Sequence, residues 1–148
     1  MNKSIAALIR LQGWRCEDGR RAVLAARARI DSLQAQRQRL SETLADERRT
    51  ARTLSADAVI DIAVYERRLA AEDAAFATEL NEAEAQHSAA LDDLSDALAE
   101  KRKLELAEAH YHEAAQRVAD RRERSALDEI ALPHGQHADY QQLMMSGE

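Results

Sequence analysis

The chain has 148 residues, of which 32% are charged and 3% aromatic, with four glycines and one proline. That composition, dominated by Ala, Leu, Glu and Arg, describes long helices and coiled coils rather than a thick globular core. The net charge of −6 argues against general nucleic-acid binding, and the single Cys16 excludes an intrachain disulfide. Few aromatic, Ile or Val residues leave no strand candidate of useful length. No run of about 18 apolar residues is present to cross a membrane. Lys3 and the short Ile5 to Ile9 apolar patch do not make a signal peptide. A soluble, cytosolic protein is expected.

Residues 3–54 contain no proline and read as one helix, roughly 75 Å long at about 1.5 Å per residue. Stepping back from Leu54 by alternating threes and fours gives Ala51, Glu47, Leu44, Leu40, Arg37, Leu33, Ile30, Ala26 and Val23. This 3.5-residue repeat is the mark of helices that pack knobs into holes. Gly13 and Gly19 interrupt the helical preference, each at about 1 kcal/mol against alanine. They do not interrupt the apolar period.

A reversal is expected at about residues 55–58; with no Gly or Pro there, one uninterrupted helix is the alternative. Ser55 or Asp57 can cap a second helix, and Asp57 and Asp61 place acids where its dipole favours them. Forward from Val59 the same stepping gives Ile62, Glu66, Leu69, Asp73, Phe76, Leu80, Ala83, His87 and Ala90. If the chain turns back, Leu44 faces Leu69, Leu33 faces Leu80 and Ile30 faces Ala83. The second helix is expected over about 57–131. Pro133 and Gly135 then predict a loose tail over 133–148.

Charge favours this antiparallel hairpin. Residues 72–100 hold nine acids and no Lys or Arg, whereas their mirror segment, 13–41, holds seven arginines against three acids. A parallel homodimer would set like charge against like. An antiparallel swapped dimer would satisfy the same pairing. The polar seam members Arg37, Glu47, Glu66, Asp73, His87 and Lys101 read as register-fixing side chains that snorkel outward. Arg37, opposite Phe76 and near Asp73, would be well satisfied.

The fold class is therefore all-α: two long helices in an antiparallel coiled-coil hairpin over 1–132, the second longer and overhanging. The first helix cannot cover all of the second. From about Tyr111 onward, Tyr111, Ala115 and Val118 continue the seam without a partner from this chain. Arg117, Arg121, Arg122 and Arg124 form a basic stretch, followed by Leu127-Asp128-Glu129-Ile130-Ala131. A long unpaired amphipathic helix is marginal in water, so insertion into a partner is expected. Leu8, Leu11 and Trp14 lie beside the seam and form a second candidate docking patch, and Tyr65 near the reversal a third contact.

No catalytic residues, cofactor site or metal site are read. His110 and His112 point to different faces of a helix, and no cysteine or paired carboxylate completes a ligand set. There is no glycine-rich phosphate loop and no nucleophile with a base at sensible spacing. An enzyme is not expected.

The chain resembles the flagellar export protein family FliJ and its injectisome counterparts. The likeness lies in its length, its two unequal helices, and the basic stretch ending in Leu127-Asp128-Glu129-Ile130-Ala131. Glu100-Lys101-Arg102 is similar to the family's charged run in mid second helix, and Tyr65 and Leu69 stand where members carry an aromatic and a leucine four apart. The resemblance implies a non-enzymatic stalk whose termini end enters the pore of the hexameric export ATPase, promoting its assembly and activity. The hairpin tip would reach the export gate, a membrane protein, and export chaperones are further implied partners. On this sequence, Arg117, Arg121, Arg124, Leu127, Asp128, Glu129 and Ile130 would touch the ring, together with the Leu8, Leu11, Trp14 patch. Tyr65 and Leu69 would face the gate. A cytoplasmic monomer is implied, peripheral to the inner membrane and not inserted in it. The competing expectation is a generic coiled-coil scaffold or tether that homodimerises; a holdase-type chaperone is a weaker third.

Overall fold

The computed structural model describes the backbone of residues 2–53 and 56–145, and the side chains of residues 3–53, 61–132 and 145. It is an all-α helical hairpin. Helix α1 is Asn2–Ala51 and helix α2 is Ala56–Met145. No strand occurs among the described residues. The chain divides into two compact units, one of Ile9–Lys101 and one of Met1–Leu8 with Arg102–Glu148.

The hairpin unit, Ile9–Lys101, is organised by the 3.5-residue repeat. On α1 the buried or half-buried positions include Cys16, Gly19, Val23, Ala26, Ile30, Leu33, Arg37, Leu40, Leu44 and Ala51. On α2 they include Ile62, Glu66, Leu69, Asp73, Phe76, Leu80, Ala83, His87, Ala90, Leu94 and Ala97. Ile30, Leu33 and Ala83 form the core, with Phe76 and Leu80 packed against them. Fully burying one such leucine is worth about 1.5–3 kcal/mol relative to leaving it in water. A two-stranded coil has no deeper layer, so this single line carries the packing.

Ion pairs cross between the helices of this unit. Arg29 Nη2 donates to Glu79 Oε2 at 2.9 Å, and Arg48 Nε to Glu66 Oε1 at 2.6 Å. Arg37 grips Asp73 through two bonds, Nε to Oδ1 at 2.8 Å and Nη2 to Oδ2 at 3.0 Å. Arg29 and Arg37 belong to the arginine-rich segment of α1, and Asp73 and Glu79 to the acid-only segment of α2. These contacts fix the antiparallel sense that the charge count favours.

Two expectations about extent need correction. First, α1 ends at Ala51, not at residue 54. Arg52 N still donates to Arg48 O at 3.3 Å, while Thr53 N donates to Thr50 O at 3.1 Å and Thr53 Oγ1 to the same oxygen at 2.6 Å. The last turn thus tightens to a three-residue bond, a common way to satisfy terminal carbonyls. Leu54 and Ser55 lie outside the described residues, and Asp57 falls in the first turn of α2. Glu47 is exposed, as expected of a polar seam side chain that snorkels outward. A lone carboxylate keeps its hydration rather than occupy the seam without a partner.

Second, α2 does not stop before Pro133; it continues to Met145, so 133–148 is not a loose tail through that point. A proline inside a helix loses one backbone hydrogen bond and crowds the preceding turn, at about 3 kcal/mol. Residues beyond it, including Ala138, Gln141, Gln142, Leu143 and Met144, are good helix formers that resume the ladder.

In the other unit, Ile5, Leu104, Glu105 and Glu108 are half-buried. From Ala109 to Leu132 every side chain of α2 is exposed except Asp120, which accepts from Gln116 Nε2 at 2.9 Å.

Candidate partner-binding surface

The exposed length of α2 after Glu108 places its candidate residues on three separate faces. At about 3.6 residues per turn, Arg117, Arg121, Arg124 and Asp128 recur at intervals of four, three and four and therefore share one stripe. Leu127 and Ile130 lie three apart on the neighbouring face. Glu129 falls on a third side with Val118, eleven residues before it, and Tyr111, eighteen before. All seven candidate contact residues are exposed. The helix brings four of them together and sends the other three elsewhere.

The stripe is already partly engaged. Arg117 Nη2 donates to Glu113 Oε1 at 2.9 Å. Arg121 and Arg124 make no ion pair among the described residues, so two guanidinium groups stand free for an acidic partner. On the apolar faces Leu127 is 59% exposed, Ile130 66% and Leu132 62%, with Tyr111 and Val118 also exposed. These are large side chains left in water along one helix, as on surfaces that meet a partner. The Tyr111 ring meets that of His112 edge-on at 6.1 Å between centroids. His110 Nδ1 lies 3.9 Å from Glu113, and no group of three metal-ligating side chains exists among the described residues.

Leu8, in the terminal unit, is exposed; Leu11 and Trp14, in the hairpin unit, are exposed as well, Trp14 by 69%. Tyr65 is half-buried. Leu69 is only 6% exposed and belongs to the seam, so its side chain is spent on holding the helices together. A contact at that end would fall to Tyr65 and its exposed neighbours. Reading the seam alone also passes over the composition of the positions flanking it, which leaves a groove on one side of the hairpin. The signal was present in Ser41, Ala63 and Ala70, residues too short to cover the leucines beside them.

No helix among the described residues is long and apolar enough to cross a membrane. Comparison with curated proteins and with solved structures gives no match. Comparison with family models does: residues 3–138 match the family described as flagellar FliJ protein. The match takes in both helices, the exposed arginine stripe and the Leu127-Asp128-Glu129-Ile130-Ala131 segment. The chain belongs to the flagellar FliJ protein family and is a component of the flagellar export apparatus.

Proposed function

We propose that this chain is a non-enzymatic stalk of the export apparatus, whose α2 segment beyond Glu108 inserts into the hexameric export ATPase and promotes its assembly and activity. One observation carries this reading. The segment exposes contact groups in all directions, arginines on one stripe and large apolar side chains on the other two. A helix that docks on a flat surface needs one such face. A helix enclosed by a ring meets protein on every side and can use all three. The hairpin unit, stiffened by its seam and cross-helix ion pairs, would then link the ring to the export gate, with Tyr65 at the gate-facing end. The chain would sit in the cytoplasm, peripheral to the inner membrane, as a monomer that can also receive export chaperones.

The test is to mix the full chain with its cognate export ATPase and follow ATP turnover and ring formation. The chain should raise both. Alanine at Asp128 and Glu129 together should leave helicity unchanged by circular dichroism and weaken ring binding; unchanged binding would remove this assignment. Sedimentation equilibrium should show a monomer at micromolar concentration. A stable dimer would instead support a coiled-coil tether that pairs through the uncovered Tyr111, Ala115, Val118 line.

A further inference from the structure

The hairpin unit carries a second surface that the stalk role does not use. Number the seam so that Ile30, Arg37 and Leu44 are a positions and Leu33 and Leu40 are d; on α2, Glu66, Asp73 and Leu80 are then a, and Leu69 and Phe76 are d. Because the helices run in opposite senses, the e positions of both share one flank of the coil and the g positions share the other. Over residues 29–44 of α1 the g flank is covered. Arg29 and Glu79 pair across it, and Tyr65 and Glu72 occupy its remaining α2 positions. The e flank is not: Ser41 on α1 and Ala63 and Ala70 on α2 are too short to reach over the seam. A groove of about 930 Å³ results, with the sides of Leu40, Leu44 and Leu69 as its floor. It runs from Gln34 to Arg48, about four helical turns or roughly 21 Å.

The charge on the groove selects its occupant. Arg37 is neutralised by Asp73 and Arg48 by Glu66, and all four side chains line the groove. Arg67 also lines it, is exposed, and has no ion-pair partner among the described residues. The lining therefore carries three cations and two anions, in a chain whose overall charge is −6. A groove about four turns long, apolar in its middle over Leu40 and Leu44 and with one free guanidinium among its lining, fits a third helix with leucines on one ridge and a carboxylate beside them. We propose that the e flank over Gln34–Arg48 is a docking groove for an acidic amphipathic helix of a partner protein, seated on Leu40 and Leu44 with its carboxylate on Arg67. The site shares no residue with the surface assigned to the ring, so either can fail without the other.

The experiment uses the full chain and a fluorescently labelled, end-capped helical peptide of about 14 residues, with leucines along one ridge and glutamates flanking it. A control peptide carries lysines in place of the glutamates. The acidic peptide should bind at least about tenfold tighter than the basic one by anisotropy. Arg67→Glu, at an exposed position, should reverse that preference while leaving helicity intact. Ala63→Leu with Ala70→Leu should fill the groove and weaken the acidic peptide about tenfold. Should that double variant fail to fold, the Arg67→Glu reversal still decides the matter. Absent binding, an unchanged preference in Arg67→Glu, or unaltered affinity in a folded groove-filled variant each overturns the proposal. A wild-type dimer by sedimentation that the filled groove converts to monomer would also overturn it, since the occupant would then be a second copy of this chain.

Discussion

Arg37 and Asp73 meet as a bidentate pair from within the seam itself, at 2.8 and 3.0 Å, with the side chains 36% and 46% exposed. Such fork-to-fork geometry is directional as well as attractive. A one-heptad slip would set Asp73 against Ile30 or Leu44 and break the pair, although in one direction Arg37 would meet Glu66 in its place. The hydrogen bonds from Arg37, offset by partial desolvation, hold the Asp73 carboxyl below its ordinary range, while the bond to Asp73 raises Arg37 above its own. Because the folded-state value of Asp73 is depressed, its stabilisation is fully present above the unfolded carboxylate range, near pH 4. It is lost as pH falls through the lower folded value. Thermal melts from pH 6 down to pH 2 should therefore show a steeper loss for the wild type than for Asp73→Asn. Equal slopes would show that the pair contributes nothing. Exchanging the charges, Arg37→Asp with Asp73→Arg, should recover more stability than either change alone.

The two glycines of α1 behave differently when given a side chain. A Cβ at Gly13 would meet nothing within 4 Å, so Gly13→Ala should gain the helix preference of alanine, about 1 kcal/mol, and raise the melting temperature. A Cβ at Gly19 would lie 3.2 Å from Leu94 Cδ1, 3.4 Å from its Cβ and 3.5 Å from its Cα. The Cδ1 must give by a few tenths of an ångström, whereas the Leu94 Cβ and Cα lie at ordinary contact distance. Gly19→Ala should fall short of Gly13→Ala in denaturant midpoint, its propensity gain offset by crowding. An equal or larger gain at Gly19 would mean that the helices can part freely there.

Leu33, 3% exposed beside Ile30 and Ala83, tests where the core lies. Leu33→Ala should cost about 2–4 kcal/mol, towards the low end because a two-stranded coil can partly close over the gap. Leu24→Ala, at a leucine left 69% exposed, should change stability by less than about 0.5 kcal/mol. Chemical denaturation of both variants reads the difference. Similar losses would place the seam elsewhere.

The seam was legible in the sequence because a two-stranded coil has one packing line and one period. Even the pairing register follows: Gly19 faces Leu94, as the mirror of Leu33 on Leu80 requires. Less legible was anything set by competition between weak local terms. Pro133 is a strong local signal, and the helix formers after it still carry α2 to Met145. On the overhang, the order of residues showed a basic run followed by an acidic and apolar one. Only their angular placement around the helix separates Glu129 from Arg121 and Asp128.

That separation makes the two acids of the Leu127-Asp128-Glu129-Ile130 segment unequal probes. Asp128 shares the stripe of Arg121 and Arg124, whereas Glu129 lies about 100° round the helix, on the side of Tyr111 and Val118. Both are exposed, so neither replacement should alter stability by more than about 0.5 kcal/mol. If the export ATPase encloses the segment, Asp128→Ala and Glu129→Ala should each weaken binding, and Ile130→Asp, on the remaining face, should weaken it further. Docking on one side would spare at least one of the three. Titrating each single variant against the assembled ATPase, with helicity checked by circular dichroism, separates these outcomes. Three losses support enclosure, whereas retained wild-type affinity in any one of them rules it out in favour of a one-sided contact.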